Sequence, residues 1–171
     1  AENKTKLEEG KNELSSKKSE STEKLAQAEK ELLTAKADLE ASKVHITSQI
    51  TTVKSLEDGI KKAEDGVSQL NTVLTSINGL KAMVQTPGNI DAATAEQINT
   101  LAASMGVPCD LTGNSSATAA LEALEAIETA ATQQKEATKT TITNMEASLN
   151  ANTGGLGAEA YIASMQSVLS E

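Results

Sequence analysis

The sequence predicts an all-α protein, a long antiparallel coiled-coil hairpin with a small helical head at its tip. The main observation is a branched apolar residue at every seventh position, here called the a row: Leu25, Leu32, Leu39, Ile46, Val53, Ile60, Val67 and Leu74. Such a sustained repeat imposes a left-handed supercoil on packed helices. The chain also has no Phe, no Trp and a single Tyr, so it lacks the aromatic rings that fill a thick globular core.

The first predicted segment, residues 1–85, is one long outgoing helix. A second row, the d row, lies three residues after the first: Ala28, Ala35, Ser42, Gln49, Leu56, Ala63, Leu70 and Ile77. Before Leu25 the a row holds lysines instead of apolar residues. This predicts that the helix continues there with a more solvent-exposed face. The small residues of the d row would let a partner backbone approach closely.

The second and third segments are a head over 86–116 and a return helix with a short last helix over 117–171. Thr86-Pro87-Gly88-Asn89 is a stop signal for the outgoing helix. Asp91 is typical of the N-cap of a short helix, and Gly106 to Leu111 ends that helix. A helix from Ala117 to about Asn150 then folds back, and Gly154, Gly155 and Gly157 separate it from the last helix.

The a and d rows together form an apolar face from Leu25 to Ile77, here called the seam. The return helix is too short to cover all of it. At 1.5 Å per residue, residues 117–150 reach about 50 Å, against roughly 80 Å for Leu25 to Ile77. The lower part of the seam, Leu25 to Ile46, therefore needs another partner. Three candidates are the last helix, a second copy in a homodimer, or parent sequence beyond residues 1–171.

Charge and composition exclude several classes of partner. The formal net charge is −9, there is no Arg, and residues 82–171 carry 2 Lys against 10 acidic residues. A chain without a basic face is a poor ligand for nucleic acid or anionic lipid. No run of 18 apolar residues exists, so a membrane would be reached only through flanking transmembrane segments.

No residue pattern predicts catalysis, a metal site or a cofactor, so we do not expect an enzyme. His45 is the only histidine, and Asp58 and Asp65 lack the spacing of a calcium loop. Cys109 is the only cysteine and has no general base near it in sequence. We expect it to be a structural thiol, with a redox or tethering role as the alternative.

Glycine-punctuated units recur along the outgoing helix. They are Leu7-Glu8-Glu9-Gly10, Leu56-Glu57-Asp58-Gly59 and Ala63-Glu64-Asp65-Gly66. This pattern resembles the extracytoplasmic coiled-coil insert of FtsX-like ABC transporter permeases of Gram-positive bacteria. Similar coils occur in MMPL-type RND exporters and in YhgE/Pip membrane proteins. The resemblance covers about residues 5–80 and implies an insert that projects outward from the cell membrane and returns to it.

The expected function is that of a non-catalytic extracytoplasmic module of a bacterial membrane transport protein. Its head would contact a protein partner or transported substrate, and the candidate contact residues are Val107, Pro108, Cys109 and Leu111. A head that only caps the hairpin turn is an equal alternative. For the whole chain, the alternative is a free-standing secreted or surface coiled-coil protein with a structural, adhesion or secretion-system role.

Overall fold

The computed structural model describes residues 2–170, and their regular structure is helical. Helix α1 spans Glu2–Met83, α2 Ala92–Ser104, α3 Ala117–Thr153 and α4 Ala158–Ser170. These elements form two compact units. One unit contains Ala1–Ile50 and Met165–Glu171, and the other contains Thr51–Ser164. The all-α helical hairpin predicted from the heptad rows is confirmed.

In the second unit, α1 buries the face that the heptad rows predict. Val53, Leu70 and Ile77 are buried, and the other members of the two rows between residues 53 and 77 are half-buried. The residues between the rows are mostly exposed. The 3.5-residue frame therefore describes the packed side of this part of α1.

Helix α3 runs antiparallel to this part of α1. Lys81 near the end of α1 forms an ion pair with Glu128 in the first half of α3. Farther back along α1, a Cβ built at Gly59 would lie 3.2 Å from the sulfur of Met145, in the second half of α3. Gly59 thus leaves room for the Met145 side chain, whereas a Cβ at Gly66 would meet nothing within 4 Å.

The main core lies where α1 ends and α2 packs against α3. It joins Ile77 and Leu80 of α1, Ile98 of α2, and Leu124 and Ile127 of α3. Ile90, Ala95, Ala102 and Ala120 complete the cluster. No aromatic residue belongs to it, so branched aliphatic side chains and alanines fill the space between the three helices.

The ends of α3 follow ordinary capping rules. The hydroxyl of Ser116 accepts a hydrogen bond from the backbone N–H of Ala119 at the start of the helix. Gly154 ends the helix in the left-handed region with φ 61°, which glycine adopts without a steric penalty. After this turn α4 begins, and it buries Ala158 and Tyr161.

In the first unit, the apolar face of α1 is uncovered up to residue 45 and becomes buried only near Ile50. Every described residue up to position 45 is exposed. Leu25 and Leu32 of the a row are 62% and 71% exposed, and Leu7, Leu14 and Leu39 are also exposed. Over most of its length, the seam from Leu25 toward Ile46 therefore has no partner within the described residues. The shortness of the return helix predicted this.

Replacing Ile77 with Ala tests the assignment of the core. Ile77 is completely buried and in the central cluster, so the cavity should lower the free energy of unfolding by about 2–5 kcal/mol. The measurement is urea unfolding followed by circular dichroism. The matched variant Asn78→Ala changes the next residue, which is exposed, and should stay within about 0.5 kcal/mol. Equal losses in the two variants would contradict the frame.

Candidate functional site

The head begins and ends at two backbone segments that are bonded to each other. The N–H of Ile90 donates to the carbonyl of Ser115 (3.0 Å), and the N–H of Ala117 donates to the carbonyl of Gly88 (2.8 Å). Asn89 and Ser116 form an isolated antiparallel bridge between these bonds. The chain therefore enters and leaves the head side by side, and the peptide bond between Thr86 and Pro87 at its entrance is cis.

The start of α2 confirms the predicted cap. The Asp91 carboxylate accepts a 2.7 Å hydrogen bond from the backbone N–H of Thr94. This bond is the main cause of a lowered pKa for Asp91, and hydrogen bonds from the Thr94 side chain and the Ala93 backbone lower that pKa further. Because the folded pKa is lowered, the stabilisation by the cap is present at neutral pH and is lost as the pH falls through that pKa.

Asn99 holds the loop after α2 against the helix. Its amide nitrogen donates to the carbonyl of Leu111, and its amide oxygen accepts from the N–H of Leu111, both at 2.9 Å. Next along the chain, a Cβ at Gly113 would lie 2.9 Å from the backbone nitrogen of Ala92. Only glycine allows the loop to pass this close to the start of α2. The sequence did not point to Asn99, because its partner is a backbone group twelve residues away.

The predicted contact residues lie on this held loop and alternate in exposure. Val107, Cys109 and Leu111 are half-buried and pack against the central core cluster. Pro108 is exposed. Three of the four residues therefore pack inside the head, which is what the alternative of a head that only caps the hairpin turn expects. Contact with a partner through these residues stays a prediction, and Pro108 offers the most accessible surface among them.

A groove runs between the last turns of α1 and the side of α2. Its volume is about 640 Å³. Leu80, Met83 and Leu101 provide apolar surface along it, and Met83 is 63% exposed. Ser76, Glu96, Gln97 and Thr100 add polar groups, with Gly79 and Ala93 as the small residues. The groove was not predicted from the sequence, since it depends on how α2 packs beside α1.

The lining of the groove carries little charge. Glu96 is its only ionisable lining residue, so no acid/base pair is present there. Within residues 2–170, no three His, Cys, Asp or Glu side chains come together in a set that could hold a metal ion. His45 is exposed on α1 in the first unit.

No known protein family, curated protein or solved structure matches this chain. Among the described residues, no helix is long and apolar enough to cross a membrane.

Replacing Asn99 with Ala tests how the head is held. The change removes both hydrogen bonds to Leu111, leaves two backbone groups unpaired, and should cost about 1–3 kcal/mol of unfolding free energy. Amide hydrogen exchange should also show faster exchange at Leu111. The comparison variant is Asn99→Asp, which can still accept from the Leu111 N–H but sets a carboxylate oxygen against the Leu111 carbonyl, so it should retain only part of the protection of that N–H. Unchanged exchange at Leu111 in Asn99→Ala would show that packing alone holds the loop.

Proposed function

We propose that this chain is a non-catalytic helical module whose head contacts a protein partner or a transported substrate. The observation that carries the proposal is the groove lined by Leu80, Met83 and Leu101. An exposed methionine beside a partly apolar groove is suited to receive an apolar side chain, because methionine adapts its shape to what it contacts. The polar residues at the edge would orient the incoming group.

The way the head is built supports this role. Its entrance and exit are bonded together, and Asn99 holds its loop against α2. Ile90, Ala95 and Ile98 anchor it in the core. A surface held in this way loses little conformational entropy when a partner binds. Pro108, which is exposed on the loop, would be a separate point of contact.

The transport assignment rests on the glycine-punctuated units at Gly10, Gly59 and Gly66. On this proposal the module lies on the extracytoplasmic face of the cell membrane of a Gram-positive bacterium, as part of an ABC permease or a related exporter. The encoded sequence on either side of residues 1–171 tests it. Hydrophobic spans of about 20 residues on both sides would support the assignment, and their absence would contradict it.

A clean test of the head must leave its core intact. Deleting residues 86–116 would remove Ile90, Ala95 and Ile98 from the core cluster and expose Ile77 and Leu124. Gly79 offers a better position, because it lines the groove and a Cβ there would meet nothing within 4 Å. An arginine at this position would occupy the groove without a steric clash in the core.

We expect Gly79→Arg to abolish binding of apolar peptides selected against the protein by phage display. Isotope-labelled methionine methyl groups would locate the bound peptide, since the four methionines are spread over the chain. The Met83 methyl should shift most on titration. The control is Gly66→Arg, which also replaces an α1 glycine with open space around its Cβ and should leave binding unchanged. Selected peptides that bind Gly79→Arg normally and leave Met83 unshifted would refute contact at the groove.

A second candidate function is that of a free-standing secreted or surface coiled-coil protein with a structural, adhesion or secretion-system role. The uncovered leucines of α1 in the first unit favour it, because such proteins assemble through long apolar seams. Selected binders that protect Leu25 and Leu32 and leave the groove free would support this alternative.

A further inference from the structure

We infer that two copies of this chain associate through α1 in a parallel, in-register coiled coil over residues 24–46. This surface is different from the groove at the head, and its pairing does not depend on the groove. The a residues of the segment are Leu25, Leu32, Leu39 and Ile46. The first three are exposed in the single chain and Ile46 is half-buried.

Charged residues beside the seam identify a second copy as the partner. In a parallel coiled coil, the residue just before each a position (position g) faces the residue just after a d position (position e) of the other helix, five places later in sequence. Here Lys24 would face Glu29 of the second copy, Glu31 would face Lys36, and Asp38 would face Lys43. All three pairs are attractive, and two-fold symmetry repeats each of them.

The same charges disfavour the antiparallel arrangement. If residues 24–46 of the two copies paired in the antiparallel direction, g positions of one helix would face g positions of the other, and e positions would face e positions. Glu31 would then face Asp38 of the second copy in two symmetry-related pairs, both on the g side of the seam. The two Glu29–Lys36 pairs on the other side are attractive and offset this repulsion, so the antiparallel pair has no net gain from these charges, whereas all the parallel pairs are attractive. The parallel arrangement has no such like-charged pair over residues 24–46.

The d positions favour two helices over three. Ala28, Ala35 and Ser42 are small, so two helices can approach closely and bring the flanking charges together. Around a three-stranded axis the same small residues would leave voids, which cost stability. The contact ends toward the N-terminus because Lys4, Lys11 and Lys18 occupy a positions, where identical positive charges would face each other.

The charges at the seam are available for this contact. Lys24 forms a 2.6 Å ion pair with Glu20 on the same helix, but both side chains are largely exposed. Exposed pairs of this kind contribute little to stability, so they rearrange readily. The apolar segment is short and its d residues are small, so we expect a weak dimer with a dissociation constant in the micromolar range or above.

Cysteine crosslinking tests the frame with closely matched positions. Leu32 and Leu33 are neighbours with nearly equal exposure, 71% and 69%, and differ only in that Leu32 lies on the a row. Both variants are made in the Cys109→Ser background to remove the native thiol. In a parallel dimer Leu32→Cys should form a disulfide-linked dimer on mild oxidation, whereas Leu33→Cys should remain largely monomeric. Equal crosslinking of the two variants would overturn the proposed seam.

Charge reversal separates the two orientations. Sedimentation of the unmodified 171-residue chain should show a monomer–dimer equilibrium that is weakened by high salt, because salt screens the exposed pairs. Glu31→Lys should raise the dissociation constant several-fold by facing Lys36, and adding Lys36→Glu should restore it. Tighter association of Glu31→Lys would instead indicate the antiparallel pair and refute the proposal.

A monomer at every concentration, with Leu32→Cys uncrosslinked, would also refute the homodimer. It would leave the seam to a different protein or to sequence outside residues 1–171. Circular dichroism of each variant shows whether the helix is retained, so a loss of association is not confused with unfolding.

Discussion

The burial of Ile77 together with Ile98 and Leu124 is the contact on which the rest of the second unit depends. These three side chains come from α1, α2 and α3, so one cluster joins the outgoing helix, the head and the return helix. The ion pair between Lys81 of α1 and Glu128 of α3 joins residues next in sequence to this cluster. Val107 and Leu111 of the head loop pack against the cluster. Long helices with few tertiary contacts gain most of their stability from one such packed face.

The sequence predicted regular structure well and the details of the head less well. The heptad rows identified Val53, Leu70 and Ile77 as buried, and Asp91 and Ser116 marked helix starts, because these signals are local and periodic. The hydrogen bonds of Asn99 with Leu111 and the groove beside Met83 were missed. They depend on where a loop returns in space, and no spacing in the sequence encodes that.

The two surfaces proposed for recognition differ in their chemistry. The groove at the head combines Leu80, Met83 and Leu101 with polar neighbours, which suits a short segment of another molecule. The seam of α1 offers a repeated row of leucines with alternating charges, which suits another long helix. Separate surfaces of these two kinds would let assembly and ligand contact be altered independently by mutation.

Tyr161 gives this protein an unusual optical character. It is the only aromatic residue in the chain, and it is buried near the start of α4. Near-ultraviolet absorption and fluorescence therefore come from a single ring and report on its local environment alone. A change in that signal would report a change around Tyr161 at the start of α4, while the groove and the α1 seam contain no Phe, Tyr or Trp of their own. A tryptophan introduced on either surface would be observed against almost no background.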